Sequence, residues 1–228
     1  MFAFYFLPAC ISLKGVLGVS PSYNGLGLTH RWDGTTGIRF ACDVSEQLLR
    51  DTADRISDLG LKDMGYNMIL DDCWSSGRDS DGFLVADEQN FPMLSFGMYS
   101  SAGEYTCAGY PGSLGWEEDA QFFANNRVDY LKYDNCYNKG QFGTPEISTT
   151  VTQAMSDALN KTGRPIFYSL CNWGQDLTFL LGLSVSGDSW RMRGDVTAEF
   201  TRPDSRCPCD GMNTIASTPV SIVLLEYS

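Results

Sequence analysis

Lys132 and Asp134 stand two residues apart in the run Val128-Asp-Tyr-Leu-Lys-Tyr-Asp-Asn-Cys136. The run is short, apolar and aromatic, which predicts a buried strand. Residues two apart on a strand share a face, so this ammonium and carboxylate lie on one side of its carboxyl end. Barrels and open α/β sheets place their chemistry at that end. A carboxylate beside a cation is favoured in its ionised form, the form a nucleophile needs. A salt-bridged strand end is the plain alternative, and this motif alone does not separate the two.

Other strand ends carry comparable groups. Tyr66-Asn-Met-Ile-Leu-Asp-Asp-Cys-Trp74 is an apolar run closed by Asp71 and Asp72. Ser95 to Gly103 reads as a strand holding Tyr99, and Pro165 to Leu170 as one followed by Cys171, Asn172 and Trp173. Helices are expected between them. Ser45 to Gly60 has Ser45 as its cap, apolar residues three and four apart, and Gly60 as its stop. Glu117 to Asn126 and Thr149 to Asn160 read as two more. Residues 75–92 and 103–115, rich in Gly, Ser, Asp and Pro, read as loops. Strands alternating with helices predict parallel βα units, and polar groups at several strand ends predict an α/β (β/α)8 barrel. A doubly wound sheet is set aside because no Gly-rich phosphate loop follows the first strand.

The composition narrows the ligand. A net charge of -12 disfavours nucleic acid and anionic membranes, while 43% hydrophobic residues are enough for a real core. Eight Cys with a single His favour disulfides over metal sites and suit an oxidising, secreted setting. Residues 1–18 read as a secretory signal, although no positive charge precedes the apolar run. Converging polar groups in an acidic secreted chain, with no metal or phosphate motif, suggest carbohydrate. A glycosidase needs two carboxyl groups flanking the bond.

The runs LDDCW, FGMYSSAG, TCAGYPGSL, YLKYDNC and SWRMRGD, in that order, resemble the α-galactosidase (melibiase) family of glycoside hydrolases, especially its fungal secreted members. The resemblance spans roughly residues 40–211. It implies a retaining (β/α) barrel followed by a small β-sandwich, with no cofactor and no metal. It implies Asp134 as nucleophile and Asp195 as general acid/base. Retention expects two carboxyl groups about 5–5.5 Å apart. It also implies that Asp71, Asp72, Tyr99, Lys132, Asn172 and Arg191 contact the sugar. Disulfides Cys42–Cys73 and Cys107–Cys136 follow by the same resemblance, while Cys171, Cys207 and Cys209 receive no assured partner. Trp74 and Trp173 offer apolar faces for a sugar or for the core. Asn160-Lys-Thr is a glycosylation sequon in a secreted chain.

Some segments depart from the family, mostly in one way. Residues 30–39 read HRWDGTTGIR where the family resembles PQMGWDNWNT, and a one-base shift of a single coding stretch yields either segment. Residues 212–223 likewise match a shifted frame of DEYDCKYAGFHC, and Leu180-Leu-Gly-Leu-Ser reads as a shifted YWGS. Between Pro92 and Phe96 the helix that precedes the family's third strand is missing. The chain therefore reads as a locally frameshifted, truncated family member. Residues 19–211 form a partial barrel and 212–228 a tail unlike the family. Trp32 and Asp33 inherit no sugar-binding role, and an unclosed barrel exposes strand edges.

Three functions follow as expectations. The first is a retaining exo-glycosidase that removes terminal, non-reducing α-galactosyl residues from galacto-oligosaccharides and galactomannans. The second is an α-N-acetylgalactosaminidase. The third is a catalytically inactive chain, at most a weak galactose binder. The expected partner is an oligosaccharide ending in α-galactose; the oligomeric state is left open.

Overall fold

The computed structural model describes residues 26, 32–35, 40–64, 66–91, 97–115, 117–141, 143–175, 185, 187–191 and 213–215. The readings at residues 1–18, Asp195, Cys207, Cys209 and most of 212–228 lie outside them.

Among the described residues, six parallel strands carry the fold. They are β1 (Trp32–Thr35), β2 (Tyr66–Ile69), β5 (Met98–Ser101), β6 (Tyr130–Asp134), β7 (Phe167–Cys171) and β8 (Ser189–Arg191). β1 pairs with β2, a bridge from Ile69 to Gly97 carries the series on, and β5 to β8 pair in sequence order. This is an α/β, TIM-barrel type of arrangement among the described residues. β9 (Asn213–Ile215) then pairs antiparallel with β8, so part of the expected tail covers the edge that a further parallel strand would occupy.

The helices follow local chemistry. α1 (Glu46–Asp58) starts where Ser45 Oγ accepts the Leu48 N–H at 3.3 Å, and stops before Gly60 at φ +69°. α2 spans Asp119–Asn125. α3 (Pro145–Lys161) begins four residues before the expected Thr149. Thr144 caps it by accepting the Ile147 N–H, and Pro145 sits in the first turn, where its missing N–H costs nothing. No helix is found among the described residues between Ala86 and Met98, and residues 92–96 lie outside them.

One expectation fails. Residues 75–92 include a β-hairpin, β3 (Ser75–Arg78) against β4 (Leu84–Ala86), with a bulge between Ser75 and Gly77. Gly, Ser and Asp dominate the segment, and they hide a strand whose pairing is fixed from outside. Arg78 supplies much of that fixing. It donates to the Gly82 and Gly112 carbonyls, each at 2.7 Å, and bridges Asp119 at 2.7 Å.

Strand parity divides the core. Leu70, Met98, Leu131, Tyr133, Tyr168, Leu170 and Trp190 pack in one cluster with helix residues Leu49, Ala120, Phe123 and Met155. The alternate residues at the strand starts, Ile69, Tyr130 and Phe167, form a second, smaller cluster, with Tyr130 and Phe167 stacked at 5.0 Å. Beyond that cluster, toward the carboxyl ends, the same face turns polar.

Candidate active site

Two layers of side chains build this polar face. Tyr99, Lys132, Ser169 and Ser189 are register partners across β5 to β8. Asp71 joins their level, two residues beyond Ile69, whose bridge partner is Gly97. The next layer holds Ser101, Asp134 and Cys171, again in register. Lys132 and Asp134 therefore share a face at the end of β6, as their spacing predicts.

Lys132 Nζ lies 3.1 Å from Asp71 Oδ2, 3.9 Å from Asp134 Oδ2 and 5.0 Å from the centre of the Tyr99 ring. Burial works against its charge, yet Asp71, Cys171 and Asp134 hold its pKa above the ordinary value. Asp134 is only 4% exposed. Burial pushes its carboxyl up to about 6, although Lys132, the Asn135 N–H at 2.9 Å and Cys171 all pull the other way. The cation does favour ionisation, as expected, but burial outweighs it. Sequence shows the charge and not the depth.

Asp71 and Asp72 separate. Asp71 faces Lys132, whereas Asp72 accepts the Cys73 N–H and the Ala108 N–H, each at 2.8 Å, and so anchors the 103–115 loop. Tyr99 is buried beneath that loop, with its hydroxyl donating to Cys107 Sγ at 3.0 Å. Arg191 Nη1 reaches Cys171 Sγ at 3.9 Å. Asn172 is buried and accepts from Asn135 Nδ2 at 2.8 Å, joining the turns that follow β6 and β7. Trp74 donates to the Tyr99 carbonyl at 2.9 Å and stacks on Phe122, which makes it core. Asn160 is exposed at the end of α3.

Both expected disulfides, Cys42–Cys73 and Cys107–Cys136, are formed. The second closes one side of the site: its two sulfurs and an Asp134 oxygen lie within 4.8 Å of one another. Because the sulfurs are bonded to each other, this group is not a metal donor set. Gly103 makes the close approach possible, since a Cβ there would stand 1.8 Å from the Cys136 carbonyl.

Sequence reasoning missed Cys171 as a neighbour of Asp134. It is a buried free thiol whose pKa is pushed up to about 12, chiefly by burial and then by Asp134. Its parity, two residues past Ser169 on an inward face, was the available signal. Asn135 and Asn138 were missed as well, because their roles depend on a turn 37 residues away in the chain.

The geometry matches known proteins. The family profile described as alpha galactosidase A, of the melibiase group, matches residues 38–197. Alpha-galactosidase 1 of Saccharomyces cerevisiae is 78% identical over 226 residues, covering 92% of this chain and 48% of the relative. The solved α-galactosidase of Saccharomyces cerevisiae with raffinose is 76% identical with a TM-score of 0.75, over 84% of this chain and 45% of that one. α-Galactosidase I of Mortierella vinacea is 48% identical with a TM-score of 0.74, over 82% and 51%. The chain spans about half the length of the curated relatives it matches. A profile matched across most of the chain, with its motifs at the ends of successive parallel strands, leads to one conclusion: the chain belongs to the melibiase family, the alpha galactosidase A group of glycoside hydrolases.

Proposed function

We propose that the cleft at the carboxyl ends of β2, β5, β6, β7 and β8 binds a terminal α-galactosyl residue and hydrolyses its glycosidic bond with retention. The observation that carries this is the buried Asp134 carboxylate, set 3.9 Å from a Lys132 that is itself paired with Asp71. Asp134 attacks the anomeric carbon to form a glycosyl ester while the acid/base carboxyl protonates the departing oxygen. The same group then takes a proton from water as that water attacks, and Asp134 is released. The resemblance gives the acid/base role to Asp195. Asp71, Asp72, Lys132, Asn172 and Arg191 are proposed to hold the sugar hydroxyls, and Tyr99 to line the floor. Two disulfides suit secretion, and the exposed Asn160 suits glycan attachment.

The test is hydrolysis of an aryl α-galactoside by the full chain, with the anomer first released read by NMR. α-Galactose is expected first, and Asp134→Asn should abolish turnover. A galactose-binding chain without turnover is the second reading. It is favoured by the antiparallel β9, which occupies the edge of β8 where a closed parallel barrel has its next strand. Binding of galactose with no hydrolysis at high protein concentration would establish it. Preference for an N-acetylgalactosaminide in a panel of aryl glycosides would redirect the substrate.

A further inference from the structure

Asn138, Asn135 and Asn172 form a chain of side-chain amides that begins and ends on backbone groups. At one end the Gly140 N–H donates to Asn138 Oδ1 at 3.2 Å, while Asn138 Nδ2 donates to the Gln141 carbonyl at 3.2 Å. These two backbone contacts allow the Asn138 amide one orientation. Its Nδ2 also donates to Asn135 Oδ1 at 3.0 Å, and Asn135 Nδ2 donates to Asn172 Oδ1 at 2.8 Å. At the far end Asn172 Nδ2 donates to the Gln175 carbonyl at 3.2 Å. Turning any one amide would set oxygen against oxygen or N–H against N–H at its neighbours. Asn138 and Asn172 are buried, where such a mismatch is not relieved by solvent.

The chain has a direction, and its last amide, Asn172, lines the same cavity as Asp134. Asn172 Oδ1 is occupied by Asn135, and one Nδ2 hydrogen is occupied by Gln175. Its second Nδ2 hydrogen is the donor it keeps for a ligand among the described residues. Asn138 is in the opposite situation. Both its Nδ2 hydrogens are engaged, and it is 6% exposed, so it has no hydrogen to give a ligand directly.

We propose that Asn138 is a positioning residue for sugar recognition: through Asn135 it locks Asn172 as a hydrogen-bond donor, so that this edge of the cleft takes a ligand hydroxyl as acceptor. The proposal rests on the galactoside reading of the cleft. Asn138→Asp tests it with little change of shape. The Gly140 N–H keeps its acceptor, but an oxygen now faces both Asn135 Oδ1 and the Gln141 carbonyl, so the polarity of the chain is forced to reverse.

Two readouts on the full chain decide the matter. NMR of the side-chain amides needs no turnover: the Asn172 Nδ2 protons are expected to shift and exchange faster in Asn138→Asp. In kinetics with an aryl α-galactoside, KM should rise about tenfold, the loss of one buried hydrogen bond, with kcat within about twofold. In an Asn172→Ala background, Asn138→Asp should raise KM no further. Unchanged Asn172 amide signals, or effects that multiply in the double variant, overturn the proposal. If Asn138→Asp does not fold, Asn135→Ala cuts the chain at its middle link, leaves the backbone N–H to Asp134, and is read the same way. If the unaltered chain hydrolyses no galactoside, the galactoside reading fails, while the NMR comparison still decides the relay.

Discussion

The ammonium of Lys132 lies 3.1 Å from Asp71, nearer than the 3.9 Å that separates it from Asp134. Its closer partner is the carboxylate on β2, and Asp134 receives the remainder of its field. This arrangement holds two buried carboxyl groups around one cation without tying the proposed nucleophile in a tight ion pair.

Removal of the cation exposes that balance. Lys132→Met should raise the Asp134 pKa above about 6, because the largest opposing influence on its burial is gone. It also removes the buried cation beside Asp71, a loss of about 3–5 kcal/mol. Urea unfolding measures the stability, and titration of the Asp134 carboxyl by carbon NMR measures the pKa. An unmoved Asp134 would mean that the 3.9 Å contact carries no weight.

The elevated Asp134 pKa has a definite consequence for stability. The unfolded carboxyl titrates near about 4 and the folded one near about 6, so between those values the folded state holds more protons. Stability from this group is therefore highest below about pH 4 and falls as pH rises through about 6. Asp134→Asn should stabilise the protein at pH 7 by about 2–3 kcal/mol, the gain shrinking toward zero near about pH 4. Melting temperatures of the two proteins across that range check both the sign and the window.

The Cys107–Cys136 bridge is both a staple and a wall of the site. Its cysteines are 29 residues apart, a loop whose closure is worth about 3–4 kcal/mol on the chain-entropy account. Cys107→Ser with Cys136→Ser should lower stability by that order, measured by denaturant unfolding. Galactose affinity should fall with it, because the sulfurs lie within 4.8 Å of the Asp134 carboxylate. The Cys42–Cys73 bridge offers the comparison, with a similar separation of 31 residues.

Arg78 and Asp119 predict a non-additive pair away from the cleft. Asp119 is 1% exposed, and burial raises its pKa against the pull of Arg78 and of Ser113, which donates to it at 2.7 Å. Arg78→Met strands a buried carboxylate and should cost about 3–5 kcal/mol. Adding Asp119→Asn removes that stranded charge and should recover a large part of the loss. Urea unfolding of the two single variants and the double variant measures the coupling; additive losses would contradict a shared buried pair.

Several features were legible from sequence because they depend on short-range geometry. Ser45 and Gly60 bound α1 through cap chemistry at the positions read for them, and parity alone put Lys132 and Asp134 on one face. The order of strands and helices followed from periodicity, and the family motifs located the strand ends. Tertiary structure decided what spacing does not encode. The β3–β4 hairpin exists because Arg78 ties it to Asp119 and Gly112, residues more than thirty positions away, while its own composition resembles a loop. Asp134 and Cys171 became neighbours only when β6 and β7 paired in one register. Above all, sequence showed a carboxylate beside a cation, and the fold set the depth at which burial outweighs that cation. Charge and parity are local properties of a chain; desolvation depends on everything packed around the group.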